Sequence, residues 1–416
     1  MLNTPKGLRL QIGIFGKRNA GKSSLFNLLA RQNLAIVSDT PGTTADPVEK
    51  AVEWHDLGPV LLIDTAGIDD DAGLLGDLRA EKTKQIFERV DLALIVTDGE
   101  SFGDWEEKLF AVFREKKTPF ITVFNKCDTR PPANALLQAL QEKEIPFVCM
   151  SARTGQGEEI LRKEVILRAP EGFFREQRLL GDLFTPGSTL LFVTPIDIEA
   201  PKGRMILPQV QCLRDALDHH GKVIFCKEDQ VKETLEELKS PPALVVTDSQ
   251  VFGTVSPQVP QEIPLTSFSI LMARLKGDLT LFAAGSAGIA HLQDGDKILM
   301  AEACSHHPAG EDIGRVKIPN LLRKKSGKAL EFIHVQGHDF PRDLSPYSLI
   351  VHCGACTFNA REMISRQLEA AKQGKALTNY GITIAGCLGI LTRALGPFPE
   401  ALEAYEKACN AGEKAK

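Results

Sequence analysis

From Leu8 to about Arg168, short runs rich in valine, isoleucine and leucine alternate with amphipathic stretches of helical period. That alternation is the pattern of a parallel sheet covered by helices. Leu8–Phe15 reads as the first strand, followed by Val60–Ile63, Leu92–Val96, Phe120–Phe124 and Phe147–Met150. A charged, aromatic stretch, Glu171–Gln177, then breaks the rhythm and reads as a connector. A smaller alternating unit follows, with strands at Thr189–Val193, Val223–Cys226 and Ala243–Val246 and helical patterns at Gln209–Asp218 and Val231–Leu238. The proline-rich segment Val255–Pro264 marks a second boundary, because each proline removes a backbone donor and disfavours helix before it. Beyond it the pattern is mainly helical, with short strand-like runs at Leu330–Val335 and Leu349–Val351. The expected domains are therefore residues 1–172, 180–262 and 265–416.

Composition changes this picture little. The 416 residues are 43% hydrophobic and 25% charged with a net charge of -5, ordinary values for a globular chain and no reason to expect nonspecific nucleic-acid binding. No apolar run is long enough to span a bilayer; the best candidate, Phe268–Leu292, is interrupted by Arg274, Lys276 and Asp278. With its N-terminus reading as a strand and not as a signal peptide, the chain is expected in the cytoplasm. Its nine cysteines are odd in number, and a disulfide framework is not expected. Cys127, Cys149, Cys212 and Cys226 lie in or beside apolar runs and read as small buried hydrophobes. Cys304, Cys353 and Cys356 lie near histidines instead.

Chemistry concentrates first between residues 16 and 153. Gly16–Ser23 fits G-x-x-x-x-G-K-[ST], follows a strand and opens a helix, the context a phosphate-binding loop requires. Its glycines let backbone N–H groups wrap the phosphates, and the helix N-terminus adds partial positive charge. Gly16, Asn19, Ala20, Gly21, Lys22, Ser23 and Ser24 are thus expected nucleotide contacts, with Lys22 on the terminal phosphates and Ser23 on magnesium. Asp64-Thr-Ala-Gly67 ends an apolar strand, where Asp64 can hold the magnesium shell and the Gly67 N–H can sense the γ-phosphate. Asn125-Lys126-Cys127-Asp128 follows another strand; its Asp128 carboxylate can accept from guanine N1 and the exocyclic amine, a pairing adenine cannot offer. Ser151, Ala152 and Arg153 stand where a backbone contact to the guanine oxygen is expected. In Pro41–Thr44, Thr44 is preferred to Thr43 as the switch threonine for magnesium. These residues predict a GTP-specific GTPase.

A second constellation is Cys304-Ser-His306 with His352-Cys353-Gly-Ala-Cys356. Cys-x-x-Cys brings two soft thiolates to one metal centre, and a distant Cys-x-His can close the site. Three thiolates suit a 4Fe-4S cluster one ligand short, and three thiolates with a histidine suit a closed structural zinc equally well on spacing alone. Unconnected cysteines are the remaining reading. His307 beside His306 blurs the choice, and any of His306, His307 and His352 can read as a neighbour that orients a ligand without binding the metal, while His334 and His338 match no motif and read as satisfied core or surface residues.

The first third resembles the bacterial GTPases that include Era, Der and MnmE (TrmE). In that family an asparagine placed like Asn19 helps hold potassium near the phosphates, so the resemblance implies a potassium site. Ile68 stands where Ras-like proteins place the glutamine that orients the attacking water, so hydrolysis should be slow without potassium, a partner or a dimer. The whole chain, including Thr378–Gly381, resembles the HydF family of FeFe-hydrogenase maturation GTPases. That resemblance implies a P-loop GTPase domain, a smaller α/β dimerisation domain and a mainly helical C-terminal iron-sulfur domain. It implies a 4Fe-4S cluster on Cys304, Cys353 and Cys356, with His306 or His352 as candidates for the fourth position. The implied activity is a scaffold that assembles the two-iron subcluster of the hydrogenase active site. The implied partners are the two radical-SAM maturases, the apo-hydrogenase and a second copy of the chain, which would pair through the apolar strands Leu190–Val193 and Ala243–Val246. The competing reading is a ribosome-assembly or RNA-modification GTPase with structural zinc. Apart from Arg315–Lys328, which holds no aromatic residue, the tail lacks the basic and aromatic clustering such a protein should show.

Overall fold

The computed structural model describes residue 7 and residues 9–30, 48–54, 57–65, 86–100, 102–170, 179–195, 205–303 and 312–414. The chain forms two compact units, residues 1–176 and 177–416. Among the described residues no helix is long and apolar enough to cross a membrane.

The first unit is built on a six-stranded sheet: β1 (Leu10–Gly16), β2 (Val48–Trp54), β3 (Gly58–Asp64), β4 (Leu92–Thr97), β5 (Phe120–Phe124) and β6 (Phe147–Cys149). Their order is β2-β3-β1-β4-β5-β6, with β2 antiparallel to β3 and every other pair parallel. Both faces are covered, so β1 is buried along its whole length, as its near-continuous apolar run requires. One face packs Leu10, Ile12 and Ile14 against Leu25, Phe26 and Leu29 of the helix Lys22–Ala30 and against Leu161 and Val165 of Glu158–Arg168. The other packs Phe15, Ile63 and Ile95 against Leu109, Phe110 and Phe113 of the helix Asp104–Glu115. Strand β2 escapes the apolar-run pattern because it buries only Val52 and Trp54, alternating with polar residues.

The second unit holds two parallel four-stranded sheets on one continuous hydrophobic core. The first contains β7 (Thr189–Val193), β8 (Lys222–Cys226), β9 (Leu244–Thr247) and β10 (Leu265–Ser267) in the order β10-β9-β7-β8. The chain thus continues this sheet past the proline-rich segment that the sequence marked as a boundary. Those prolines lie in the crossover from β9 to β10, where Arg393 donates to the carbonyls of Ser256, Val259 and Pro260 at 2.8, 2.7 and 2.7 Å. The strands expected to extend the sheet into a second copy are β7 and β9, and both are interior strands with a neighbour on each side. Their apolar richness reflects burial on both faces. The edges are β8 and β10.

The second sheet contains β11 (Lys297–Glu302), β12 (Glu331–Gln336), β13 (Leu349–His352) and β14 (Ala376–Asn379) in the order β12-β11-β13-β14. The segment is rich in helix, as expected, yet its centre is this sheet, of which the apolar pattern marks only β12 and β13. A four-residue apolar core such as Ile298–Ala301 of β11 carries no periodicity that separates strand from helix. Strand β14 has only two apolar residues and is defined by its pairing with β13.

Candidate functional sites in the two units

Among the described residues, the loops expected to bind nucleotide leave the carboxyl ends of parallel strands β1, β3, β5 and β6, where open α/β sheets bind ligands. Two glycines make the phosphate loop possible. A Cβ at Gly16 would lie 2.3 Å from Val96 O, and Gly21 has φ 93° with the Asn125 amide nitrogen 2.2 Å from where its Cβ would be. Lys22 Nζ donates to Gly16 O at 2.6 Å and Lys17 O at 3.0 Å, which holds the buried ammonium within the loop. Ser23 Oγ donates to Asp64 Oδ2 at 3.1 Å, so the structure brings together two of the residues expected on magnesium. Ser24 is exposed on the first helical turn. Thr43, Thr44, Gly67 and Ile68 lie outside the described residues.

One side chain ties three loops together. Asn125 donates through Nδ2 to Ala20 O at 3.0 Å and accepts through Oδ1 from the Ala152 N–H at 2.9 Å. Lys126, at φ 60°, donates to the carbonyl of Asn19, itself at φ 62°. Arg153 pairs with Asp128 at 2.6 Å. The Ser151 hydroxyl first, and the Arg153 guanidinium with it, hold the Asp128 carboxyl below the usual carboxylate range. Asp128 is therefore an anion at neutral pH, as a guanine acceptor must be.

In the second unit the sheet order reverses between β11 and β13: the chain leaves β11 for β12 on one side, and β13 lies on the other. A crevice beyond the carboxyl ends at such a reversal is where open parallel sheets bind ligands. Strand β11 ends at Glu302, two residues before Cys304, and β13 ends at His352, directly before Cys353. Cys304, His306 and His307 lie outside the described residues. Ala303, next to Cys304, donates its N–H to Cys353 Sγ at 3.1 Å and accepts from Thr357 Oγ1 at 3.2 Å. The Ala355 N–H donates to the same sulfur at 3.4 Å, from a loop that turns through φ 51° at Ala355. Burial pushes the Cys356 thiol up, while the buried Lys276 ammonium acts in the opposite direction. Thiols with backbone donors aimed at sulfur and a buried cation nearby fit a soft, anionic metal centre. Among the described residues, no group of three or more His, Cys, Asp and Glu side chains converges as for a metal ion.

His352, expected among the candidate ligands, has both ring nitrogens committed inside the protein. Its Nδ1–H donates to Cys353 O at 3.0 Å, and its Nε2 accepts from Arg366 at 2.9 Å. Burial, then the Arg366 guanidinium, push it down to about 3, so the ring is neutral. Arg366 also donates to Glu362 at 3.1 Å and Gly337 O at 2.7 Å, and lies 4.5 Å over the Phe358 ring. One guanidinium thus holds the cysteine loop at both ends, through His352 before it and Phe358 after it. His338 is satisfied, as expected, donating to Glu362 at 2.8 Å. His334 is not: its buried Nδ1 has no hydrogen-bond partner among the described residues. Arg366 and Glu362 carry no motif; their i, i+4 spacing on Ala360–Lys372 is the only local signal. Asn379, within the Thr378–Gly381 segment, is buried and donates to Cys353 O at 3.5 Å.

Residues 11–126 match the 50S ribosome-binding GTPase family, residues 179–277 the hydrogen maturase F dimerization domain, and residues 280–397 the hydrogen maturase F tetramerization domain. Among curated relatives, the tRNA modification GTPase MnmE of Synechococcus sp. is 35% identical over 172 residues, 41% of this chain and 36% of its own length. GTPase Der of Wolinella succinogenes is 35% identical over 179 residues, 40% of this chain and 37% of its own. The chain therefore spans little more than a third of the curated relatives it matches. Among solved structures, Era of Aquifex aeolicus aligns at 23% identity over 52% of this chain and 92% of its own, with a TM-score of 0.35. The G domain of the T. maritima iron transporter FeoB aligns at 23% identity over 39% of this chain and 99% of its own, with a TM-score of 0.32. The first unit is accordingly a GTPase domain that takes GTP and magnesium. Behind it lie two adjoining domains that carry the name of one maturase, and the chain belongs to the hydrogen maturase F (HydF) family.

Proposed function

We propose that the chain is a GTP-hydrolysing scaffold that assembles the two-iron subcluster of the FeFe-hydrogenase active site and passes it to the apo-hydrogenase. It would work with the two radical-SAM maturases, on a 4Fe-4S cluster held by Cys304, Cys353 and Cys356. The observation that carries this reading is the hydrogen bond from Ala303 N–H to Cys353 Sγ, which ties the residue before Cys304 to the Cys-x-x-Cys loop at the sheet's reversal point. When bound, a cluster with three thiolate ligands supplies one iron open to an exchangeable ligand. With both nitrogens of His352 already bonded, His306 is the histidine we favour for that position.

The test is to purify the protein without oxygen, reconstitute it with iron and sulfide, assay iron, sulfide and zinc, and record the EPR spectrum after reduction. A 4Fe-4S signal is expected. Stoichiometric zinc with no reducible cluster overturns the scaffold and moves an RNA-directed GTPase to the front.

Asn19, exposed at the rim of the phosphate loop, is proposed as a potassium ligand. GTP hydrolysis is then expected to run faster in potassium than in sodium at equal ionic strength; equal rates remove the proposal. Pairing with a second copy is proposed along edge strand β8, where Phe225 is 37% exposed, with Val210 and Leu217 of the helix Leu207–Asp218 45% and 52% exposed. A monomer in light scattering at micromolar concentration would count against it.

A further inference from the structure

Cys127 and Cys149 read from the sequence as inert, but the sheet register sets them side by side. Strand β6 pairs in parallel with β5 so that Cys149 stands opposite Phe124. Three residues beyond Phe124, the Cys127 N–H donates to Met150 O at 3.0 Å and the Cys127 thiol donates to Phe124 O at 3.1 Å. The two cysteines pack against the same hydrophobic cluster on one face of the sheet, both half-buried, and neither is in a disulfide.

Their neighbours are the guanine-recognition residues. Cys127 stands between Lys126, which is bonded to the Asn19 carbonyl, and Asp128. Cys149 lies two residues before Ser151, whose hydroxyl helps hold the Asp128 carboxyl below its ordinary range. A covalent link between the two sulfurs joins the two segments that hold the base. It also shortens their separation to the ~2.05 Å of an S–S bond, well inside any thiol–thiol contact. That movement is transmitted to Lys126 and Asp128 through single peptide bonds, and hydrogen bonds to a planar base weaken steeply when the acceptor is displaced.

We propose that Cys127 and Cys149 form a reversible modification site that reacts with low-molecular-weight disulfides, closes to an internal disulfide and thereby weakens guanine-nucleotide binding. In the first step one protein thiolate attacks a sulfur of the small disulfide, forming a mixed disulfide and releasing one small thiolate, which takes up a proton. In the second, the other protein thiolate attacks the protein-side sulfur of that mixed disulfide and releases the second small thiolate. Two protein thiols are oxidised and one small disulfide is reduced to two thiols; excess dithiol drives the reverse. Burial, and then contact with Cys127, push the Cys149 thiol up to about 11, so the exchange is slow at neutral pH and speeds up as pH rises.

The test uses the full chain carrying Cys353→Ser and Cys356→Ser, which removes two of the cluster cysteines from the readout. The protein is treated with oxidised glutathione at mildly alkaline pH and digested to find a peptide joining residues 127 and 149. Its affinity for a fluorescent GDP analogue is measured before oxidation, after it, and after dithiothreitol. The linked peptide should form, the affinity should fall at least about tenfold, and dithiothreitol should restore it. Adding Cys149→Ser, or Cys149→Ala should the serine variant fail to fold, should abolish both effects. An unchanged affinity in the cross-linked protein overturns the proposal. So does an affinity loss that persists without Cys149, or a failure of the cross-link to form.

Discussion

Cys353→Ser is expected to abolish maturation of apo-hydrogenase while leaving GTP hydrolysis within about twofold of the parent rate, as for sites in separate compact units. Cys304→Ser and Cys356→Ser should do the same. Serine keeps the size of the side chain but replaces a soft thiolate by a hydroxyl that stays protonated at neutral pH, so it cannot supply the ligand an iron-sulfur centre needs. At Cys353 the change also removes the sulfur that accepts from Ala303 and Ala355. Hydrogen evolution by the matured hydrogenase and phosphate release from GTP, measured on the same preparations, separate the two activities. Maturation retained in all three variants would refute the scaffold reading. Loss of GTP hydrolysis to the same degree would show instead that the substitutions unfold the chain.

Asp128→Asn is expected to lower GTP affinity about 10²-fold, roughly 3 kcal/mol, the worth of a pair of charge-assisted hydrogen bonds. The carboxyl is held below its ordinary range by Ser151 and Arg153, so it is ionised throughout the neutral range and able to accept from both guanine donors. An asparagine in its place presents one donor to the exocyclic amine and carries no charge. Xanthine nucleotides have an oxygen at that ring position, and for them the loss should be smaller or reversed. Titration with fluorescent guanine and xanthine nucleotides measures both terms. Undiminished GTP affinity contradicts the assignment of Asp128 to the base.

The expected nucleotide site is legible in the sequence because each of its parts is one short contiguous segment beside a strand end. Gly16 and Gly21 are required by close approach and positive φ, and the residues after them follow from chain direction alone. The cysteine loop is legible as a motif, yet its fastening is not. Arg366 reaches His352 across fourteen residues, and only the packing of the helix Ala360–Lys372 against the sheet brings them together. The same limit hid the placing of Cys127 and Cys149 on one face of the sheet, which depends on strand register. Apolar richness misled at β7 and β9, where it marks the middle of a parallel sheet and not its edge.

The link from Arg366 to Glu362 and His352 also constrains how this sequence can vary. Arg366 and Glu362 are 5% and 6% exposed and His352 is fully buried, so a change at one leaves a charged or polar partner stranded, at a cost of about 3–5 kcal/mol for a broken buried ion pair. No single substitution offers a cheap intermediate. Across descendants of this chain the three should persist together or be replaced together, so the loop's geometry is inherited as a block even where the surrounding helix drifts.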